Sequence, residues 1–174
     1  DYTDRRVKLI EEGIDLSIRI TRRMDPGDVV RKIGTSTMRV IASPDYLARH
    51  GRPQNPAELA HYKCVGDTAS GARAQWQFMV NGQLETFQLR SRINANNGEV
   101  LTEAAAQGLG ITVQPDFIAD SVIASGRVEQ ILLDFPQPEL GIYAMLPSNR
   151  HVPHRVRMLM DFLAEQLIAI CKSR

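Results

Sequence analysis

The chain has 174 residues, 43% of them hydrophobic and 24% charged, which suits one ordinary globular domain or two small lobes and argues against disorder. Twenty-one Lys plus Arg against 20 Asp plus Glu leave a net charge of +1. The basic residues are scattered in ones and twos, so no face is basic enough to hold nucleic acid by neutralising phosphates. The two cysteines, Cys64 and Cys171, lie far apart and form no Cys-x-x-Cys pair, which speaks against a zinc site or a disulfide framework and for free thiols in a reducing cytoplasm. The apolar runs are far short of the ~20 residues that cross a bilayer.

In chain order, the spacing predicts a short helix over Arg6 to Glu12, capped by Asp4 and stopped by Gly13. A strand from Asp15 to Ile20 follows, with Leu16, Ile18 and Ile20 on one face and Ser17, Arg19 and Thr21 on the other. After a turn at Met24-Asp25-Pro26-Gly27 come strands over Val29 to Ile33 and Met38 to Ala42. Ser43-Pro44 opens a helix that ends at Gly51, Ser serving as cap and Pro as a preformed first residue. Asn55-Pro56-Ala57-Glu58 repeats the arrangement for a short helix to about His61, with Glu58 placed for a capping box.

Gln75 to Val80 and Gln83 to Arg92 are joined by Asn81-Gly82, a pair that tolerates the positive φ angles of a type I′ turn; a two-residue loop places Trp76 opposite Phe87, a ring pair to anchor the hairpin. Asn96-Asn97-Gly98 precedes a helix of roughly Glu99 to Gln107 that stops at Gly108. The strand Ile111-Thr112-Val113, a helix over Phe117 to Ser125, strands over Val128 to Leu133 and Gly141 to Leu146, and a closing helix from about Pro153 to Lys172 complete the chain. That last helix carries the stripe Val156, Leu159, Met160, Leu163, Leu167 and Ile170 as core or dimer interface. The alternation predicts an α/β fold with a largely parallel sheet. The Pro-flanked stretches at Ser43-Pro44 and Pro136 to Glu139 are the expected crossings between two lobes.

Ligands of open α/β sheets gather beyond the carboxyl ends of strands and at helix N-termini. Arg19 and Thr21 stand at such a strand end and Ser43 at a strand-to-helix junction, although each has an ordinary alternative, a surface ion pair for Arg19 and a plain cap for Ser43. Asn96 and Asn97 offer side-chain amides beside the backbone amides of a helix start, a combination suited to a carboxylate; capping accounts for one of them only. Gly108-Leu109-Gly110 follows a helix and precedes a strand, the reverse of a dinucleotide loop. A helix-turn-helix centred on Ala104 and Gly108 fails because Ile111-Thr112-Val113 and Pro115 would occupy its second helix. His151 and His154 have no third ligand nearby, and neither a nucleophile motif nor a cofactor motif is present.

Several strings, in this order, resemble the effector-binding domain of LysR-type transcriptional regulators. They are Val7-Lys8-Leu9-Ile10-Glu11-Glu12-Gly13-Ile14-Asp15-Leu16-Ser17-Ile18-Arg19, then Ala42 to Gly51, then Ala104 to Ile111 with Pro115-Asp116-Phe117, then Glu139 to Ala144, and finally Val156 to Leu167. The resemblance implies a two-lobed fold like that of type 2 periplasmic binding proteins, with an outer lobe of residues 1–42 plus 139–174 and an inner lobe of residues 43–138. It implies a non-enzymatic, cytoplasmic regulator without a cofactor that closes on a small effector, forms a homodimer or higher oligomer, and reaches DNA through a winged helix-turn-helix. Carried over by motif, the effector site comprises Arg19, Thr21, Ser43, Asn96, Asn97, Gln114, Pro115 and Phe117, with Asp67 and Thr68 as weaker members. Two departures accompany the likeness. The DNA-reading module is missing from these residues, and so are the strand, helix and second strand with which the family's effector domain opens. The expectation is an N-terminally truncated piece with an incomplete outer lobe, whose strand at Asp15 to Ile20 has an unpaired edge covered by another copy or by preceding residues. A free solute-binding protein of a transport system is the alternative, and a small transferase or lyase a third reading that no catalytic pair supports.

Overall fold

A computed structural model describes residues 9, 11–22, 29–67, 73–147 and 152–172. The chain divides into two compact units, Asp1–Ser36 with Glu139–Arg174, and Thr37–Pro138. The expected turn at Met24 to Gly27, Thr68, His151 and most of the helix over Arg6 to Glu12 lie outside the described residues.

In the first unit, β1 (Ser17–Thr21) and β2 (Val29–Ser36) flank β9 (Leu140–Leu146), both antiparallel to it. A bulge between Lys32 and Gly34 turns Ile33 inward, where it joins Ile142, Ala144 and Met160. Helix α4 (His154–Lys172) lies on this face. Its Val156 and Met160 are buried, and Leu163, Ala164 and Leu167 pack against the same cluster, so most of the predicted stripe faces the core. Leu159 is an exception at 46% exposed, because it sits on the flank that Arg155 turns toward Asp15, 3.2 Å away. On the other flank, Asp161 pairs with Arg31 of β2. The helix therefore sits over β2 and β9 and leaves Ile18 and Ile20 of β1 exposed, although they share its side of the sheet. Among the described residues no strand pairs with the outer edge of β1.

The second unit contains β3 (Met38–Ala42), α1 (Pro44–His50), a 3-10 helix (Pro56–His61), β4 (Cys64–Asp67), the hairpin β5 (Arg73–Val80) and β6 (Gln83–Ala95), α2 (Gly98–Ala106), β7 (Thr112–Pro115), α3 (Asp116–Ala124) and β8 (Glu129–Ile131). β3 is hydrogen-bonded to β7 and β8, which places it wholly in this unit. The first crossing accordingly falls between Ser36 and Thr37 rather than after Ala42. β4 pairs in parallel with β6 and, through a bridge from Cys64 to Ile111, with the start of β7. The strands thus follow one another as β5, β6, β4, β7, β3, β8.

The prediction of a largely parallel sheet needs correction. Helix α2 is a true crossover, carrying the chain from β6 past β4 to a parallel β7, but β7 then meets β3 head to tail, and both partners of β9 run against it. Among the described residues parallel pairing is confined to β4 with its two neighbours.

Local signals translate directly where a side chain closes the element. Ser43 Oγ accepts the Tyr46 amide at 3.2 Å and starts α1, and Asn55 Oδ1 accepts the Glu58 amide at 3.2 Å. Glu58 reaches back to the Gln54 amide at 2.8 Å and to the Asn55 side chain at 2.9 Å, one residue off a standard capping box. Asn81 and Gly82 take φ of 50° and 78°, and Trp76 stands opposite Phe87 as the two-residue turn requires. The recorded ring contact is diagonal, Phe78 to Phe87, edge to face at 5.9 Å. Phe78 is fully buried in a core shared with Val40, Tyr46, Leu59 and Ile111. The strand predicted over Val128 to Leu133 stops at Ile131, because Leu132 takes φ of +55° and its carbonyl accepts the Phe135 amide at 3.0 Å. No helix among the described residues is long and apolar enough to cross a membrane.

Candidate functional site

Residues from two helix starts and one strand meet in the second unit. Asn97 caps α2, its Oδ1 accepting the Val100 amide at 3.0 Å, and so leaves the amides of Gly98 and Glu99 without intrahelical partners. Gln114, only 4% exposed, lies beside this helix start: a Cβ added at Gly98 would fall 2.7 Å from its Oε1 and 2.7 Å from Ile118 Cδ1. The Gln114 amide nitrogen donates to Thr112 Oγ1 at 3.0 Å, which fixes the direction of the carbonyl end. Pro115 precedes α3, and Phe117 in its first turn is 44% exposed. Asn97, Gln114, Pro115 and Phe117 therefore belong to one neighbourhood, and Asn96 stands next to it with its side chain exposed.

Asp116 holds this neighbourhood to the chain's first crossing. Its backbone amide donates to the Thr37 carbonyl at 2.8 Å, and its nearly buried carboxylate accepts the Thr37 amide at 3.2 Å, the Thr37 hydroxyl at 3.0 Å and the Phe117 amide at 2.8 Å. One turn on, Asp120 pairs with Arg39 of β3 at 3.1 Å. Sequence reasoning placed no role on Asp116. The available signal was an acid in the first turn of a helix directly after Pro, where a carboxylate favours the orphan amides.

Ser43 does not join this group. It follows the far end of β3 from Met38, which pairs with Pro115, so the strand holds it on the order of 15 Å away. Its hydroxyl is 3% exposed and occupied by the Tyr46 amide. The ordinary alternative, an N-cap, is the role this hydrogen bond gives it. The Gly-Leu-Gly turn nearby has a steric purpose: a Cβ at Gly110 would collide with the Lys63 carbonyl, which accepts the Ile111 amide at 2.8 Å and joins β4 to β7. Asp67 is exposed at the end of β4. Arg19 and Thr21 belong to the first unit, half-buried on the face of β1 turned away from α4. Thr21 stands opposite Gly141 and Arg19 opposite Tyr143.

The buried thiol of Cys64 is not a reactive group. Cys64 is 1% exposed beneath the Leu59 and Tyr62 carbonyls, and burial pushes its pKa up to about 12. Among the described residues no cluster of His, Cys, Asp and Glu could hold a metal ion.

Residues 1–168 match the LysR substrate binding domain family. The chain is 34% identical over 156 residues to an uncharacterized HTH-type transcriptional regulator of Haemophilus influenzae, covering 90% of this chain and 54% of that protein. It is equally 34% identical over 162 residues to the HTH-type transcriptional regulator CrgA of Neisseria meningitidis serogroup C, covering 92% and 54%. The structure of the CrgA regulatory domain from Neisseria meningitidis superposes with a TM-score of 0.79 at 33% identity, over 91% of this chain and 78% of that one. Full-length AphB of Vibrio cholerae gives 0.77 at 26% identity, over 95% and 55%. The chain belongs to the LysR substrate-binding domain family, with the mixed α/β, two-lobed fold of periplasmic binding proteins. Its relatives are transcriptional regulators, not enzymes, and the chain spans about half the length of the curated relatives it matches.

Proposed function

We propose that this chain is the ligand-sensing domain of a LysR-type transcriptional regulator and that its effector is a small molecule bearing a carboxylate. The observation that carries the effector class is the start of α2. The orphan amides of Gly98 and Glu99 and the exposed amide side chain of Asn96 gather there, beside the exposed ring of Phe117, and the fixed carbonyl of Gln114 borders the position without donating to it. Helix amides and amide side chains bind an anion, and an exposed ring adds apolar contact area for the remainder of the ligand.

In this reading Thr37–Pro138 is the inner lobe, and the flanking segments belong to the outer lobe. Signalling is a population shift: an effector that prefers one conformation changes the balance of states in a homodimer or higher oligomer, whose DNA contacts lie in another part of the regulator. Such a protein works in the cytoplasm. Calorimetry of the chain against a panel of aromatic and aliphatic acids tests the reading. Acids are expected to bind and their amides to be silent, and Asn96→Ala is expected to weaken binding about tenfold. Tight binding of a cationic or purely apolar ligand, with silence toward every acid, would overturn it.

A further inference from the structure

The face of the first unit's sheet turned away from α4 has a chemistry that the α2 start does not explain. Cross-strand partners share a face, so this one presents, row by row, Ser17, Met145 and Val30, then Arg19, Tyr143 and Lys32, then Thr21, Gly141 and Thr35. Two cations flank one tyrosine, and no carboxylate side chain lies on the face among these strand residues. The opposite side behaves differently, since Arg31 there is paired with Asp161. Among the described residues Arg19 and Lys32 form no ion pair.

Tyr143 determines where this charge is directed. Its ring is folded back along β9 over Gly141, so that a Cβ at residue 141 would lie 2.5 Å from the ring carbon Cζ and 2.5 Å from the hydroxyl oxygen. Only glycine admits the ring there. Because Gly141 is the partner of both Thr21 and Thr35, the phenol reaches the row between these two threonines at the end of β1. Thr21 and Thr35 have partners of their own, so they border the position rather than serve as open donors. The half-buried Arg19 and the exposed Lys32 stand one row behind the ring, on the strands that flank Tyr143. The result is a phenolic donor backed by two cations.

We infer that Arg19, Lys32 and Tyr143 form a second carboxylate-binding element, in the first unit, that takes an acid group of the effector. The inference rests on the proposed acid-sensing function and adds Lys32 and Tyr143 to its recognition residues. The guanidinium and ammonium supply charge-assisted hydrogen bonds, and the phenol donates a directional one.

The test is calorimetry of the full chain with benzoate, phenylacetate and succinate, with benzamide and succinamide as uncharged controls. The unmodified chain is expected to bind at least one acid and neither amide. Lys32→Gln and Arg19→Gln should each weaken that acid about tenfold and Tyr143→Phe several-fold, with melting temperature and far-UV circular dichroism unchanged. Lys32 is exposed, and Tyr143→Phe removes a single hydroxyl, so both variants keep the test readable if Arg19→Gln disturbs the sheet. Acid binding that survives Lys32→Gln and Tyr143→Phe but is lost in Asn96→Ala would overturn this element and leave the sensing function standing. Failure of all three acids to bind would overturn this element and count against the carboxylate class as well.

Discussion

At the scale of single residues, burial and hydrogen bonding decide which polar groups are available for chemistry. Cys64 illustrates the first. In the unfolded chain its thiol ionises near the ordinary value of 9.0, whereas in the folded chain it holds its proton to about 12. Between these values the unfolded state binds fewer protons, so stability is complete below pH 9 and falls as pH rises toward 12, by up to about 4 kcal/mol. Urea unfolding of the chain at pH 8 and pH 11 should show this loss, and Cys64→Ala should lose less over the same interval. An equal loss in both proteins would mean that other groups cause it. Ser43 illustrates the second case. Its hydroxyl closes α1, so Ser43→Ala should cost about 1 kcal/mol by the same measurement and leave acid binding unchanged. A change in affinity without a change in stability would return Ser43 to the effector site.

At the scale of elements, what was legible in the sequence is what one segment decides alone. Ser43, Asn55 and Asn97 each cap the helix that follows them, and Asn81-Gly82 sets the hairpin register down to the Trp76 and Phe87 pairing. The candidate group at Asn97, Gln114, Pro115 and Phe117 was readable as a set through family motifs, but its internal geometry was not. β4 was missed because Cys-Val-Gly-Asp has no alternation, and it is a strand only because Ser91 to Ala95 and Ile111 lie on either side. Parallel or antiparallel direction was not readable either, since it depends on which distant strand each one meets. Asp116 is a case of the same kind, as its partner Thr37 is remote in sequence. Asp116→Ala should destabilise the second unit by about 2–3 kcal/mol and speed amide hydrogen exchange at Thr37, with Asp116→Asn recovering part of the loss. Unchanged exchange at Thr37 would show that the β3 ladder alone holds the crossing.

At the scale of the whole molecule, the two units have different resources. The second buries Phe78, Tyr46, Ile41 and Ile111 completely, while the described residues of the first form a three-stranded sheet with Ile18 and Ile20 exposed at one edge. Burying a large apolar side chain contributes roughly 1.5–3 kcal/mol, so the first unit should be the weaker. The single tryptophan, Trp76, lies in the second unit and reports on it alone. In urea, the circular dichroism transition should therefore begin before the tryptophan fluorescence transition. Coincident curves would mean that the units unfold together. A saturating acid at 100 times its Kd should stabilise the unit that binds it by about 2.7 kcal/mol, so the probe that moves identifies the unit.

The position of β9 between β1 and β2 has a consequence for the growing chain at the ribosome. Among the described residues neither flanking strand pairs with the other, so each must wait for Leu140–Leu146 to gain its β9 partner. At roughly 5–20 residues per second, about a hundred residues separate Ser36 from its partner by on the order of 5–20 s of synthesis. The second unit is a single continuous stretch and has been fully translated by Pro138, before any of β9 has been made. Translation therefore delivers a complete second unit first, while Ile33 still lacks Ile142, Ala144 and Met160, the residues that bury it. During this interval Ile33 is an apolar side chain that a chaperone would have to cover.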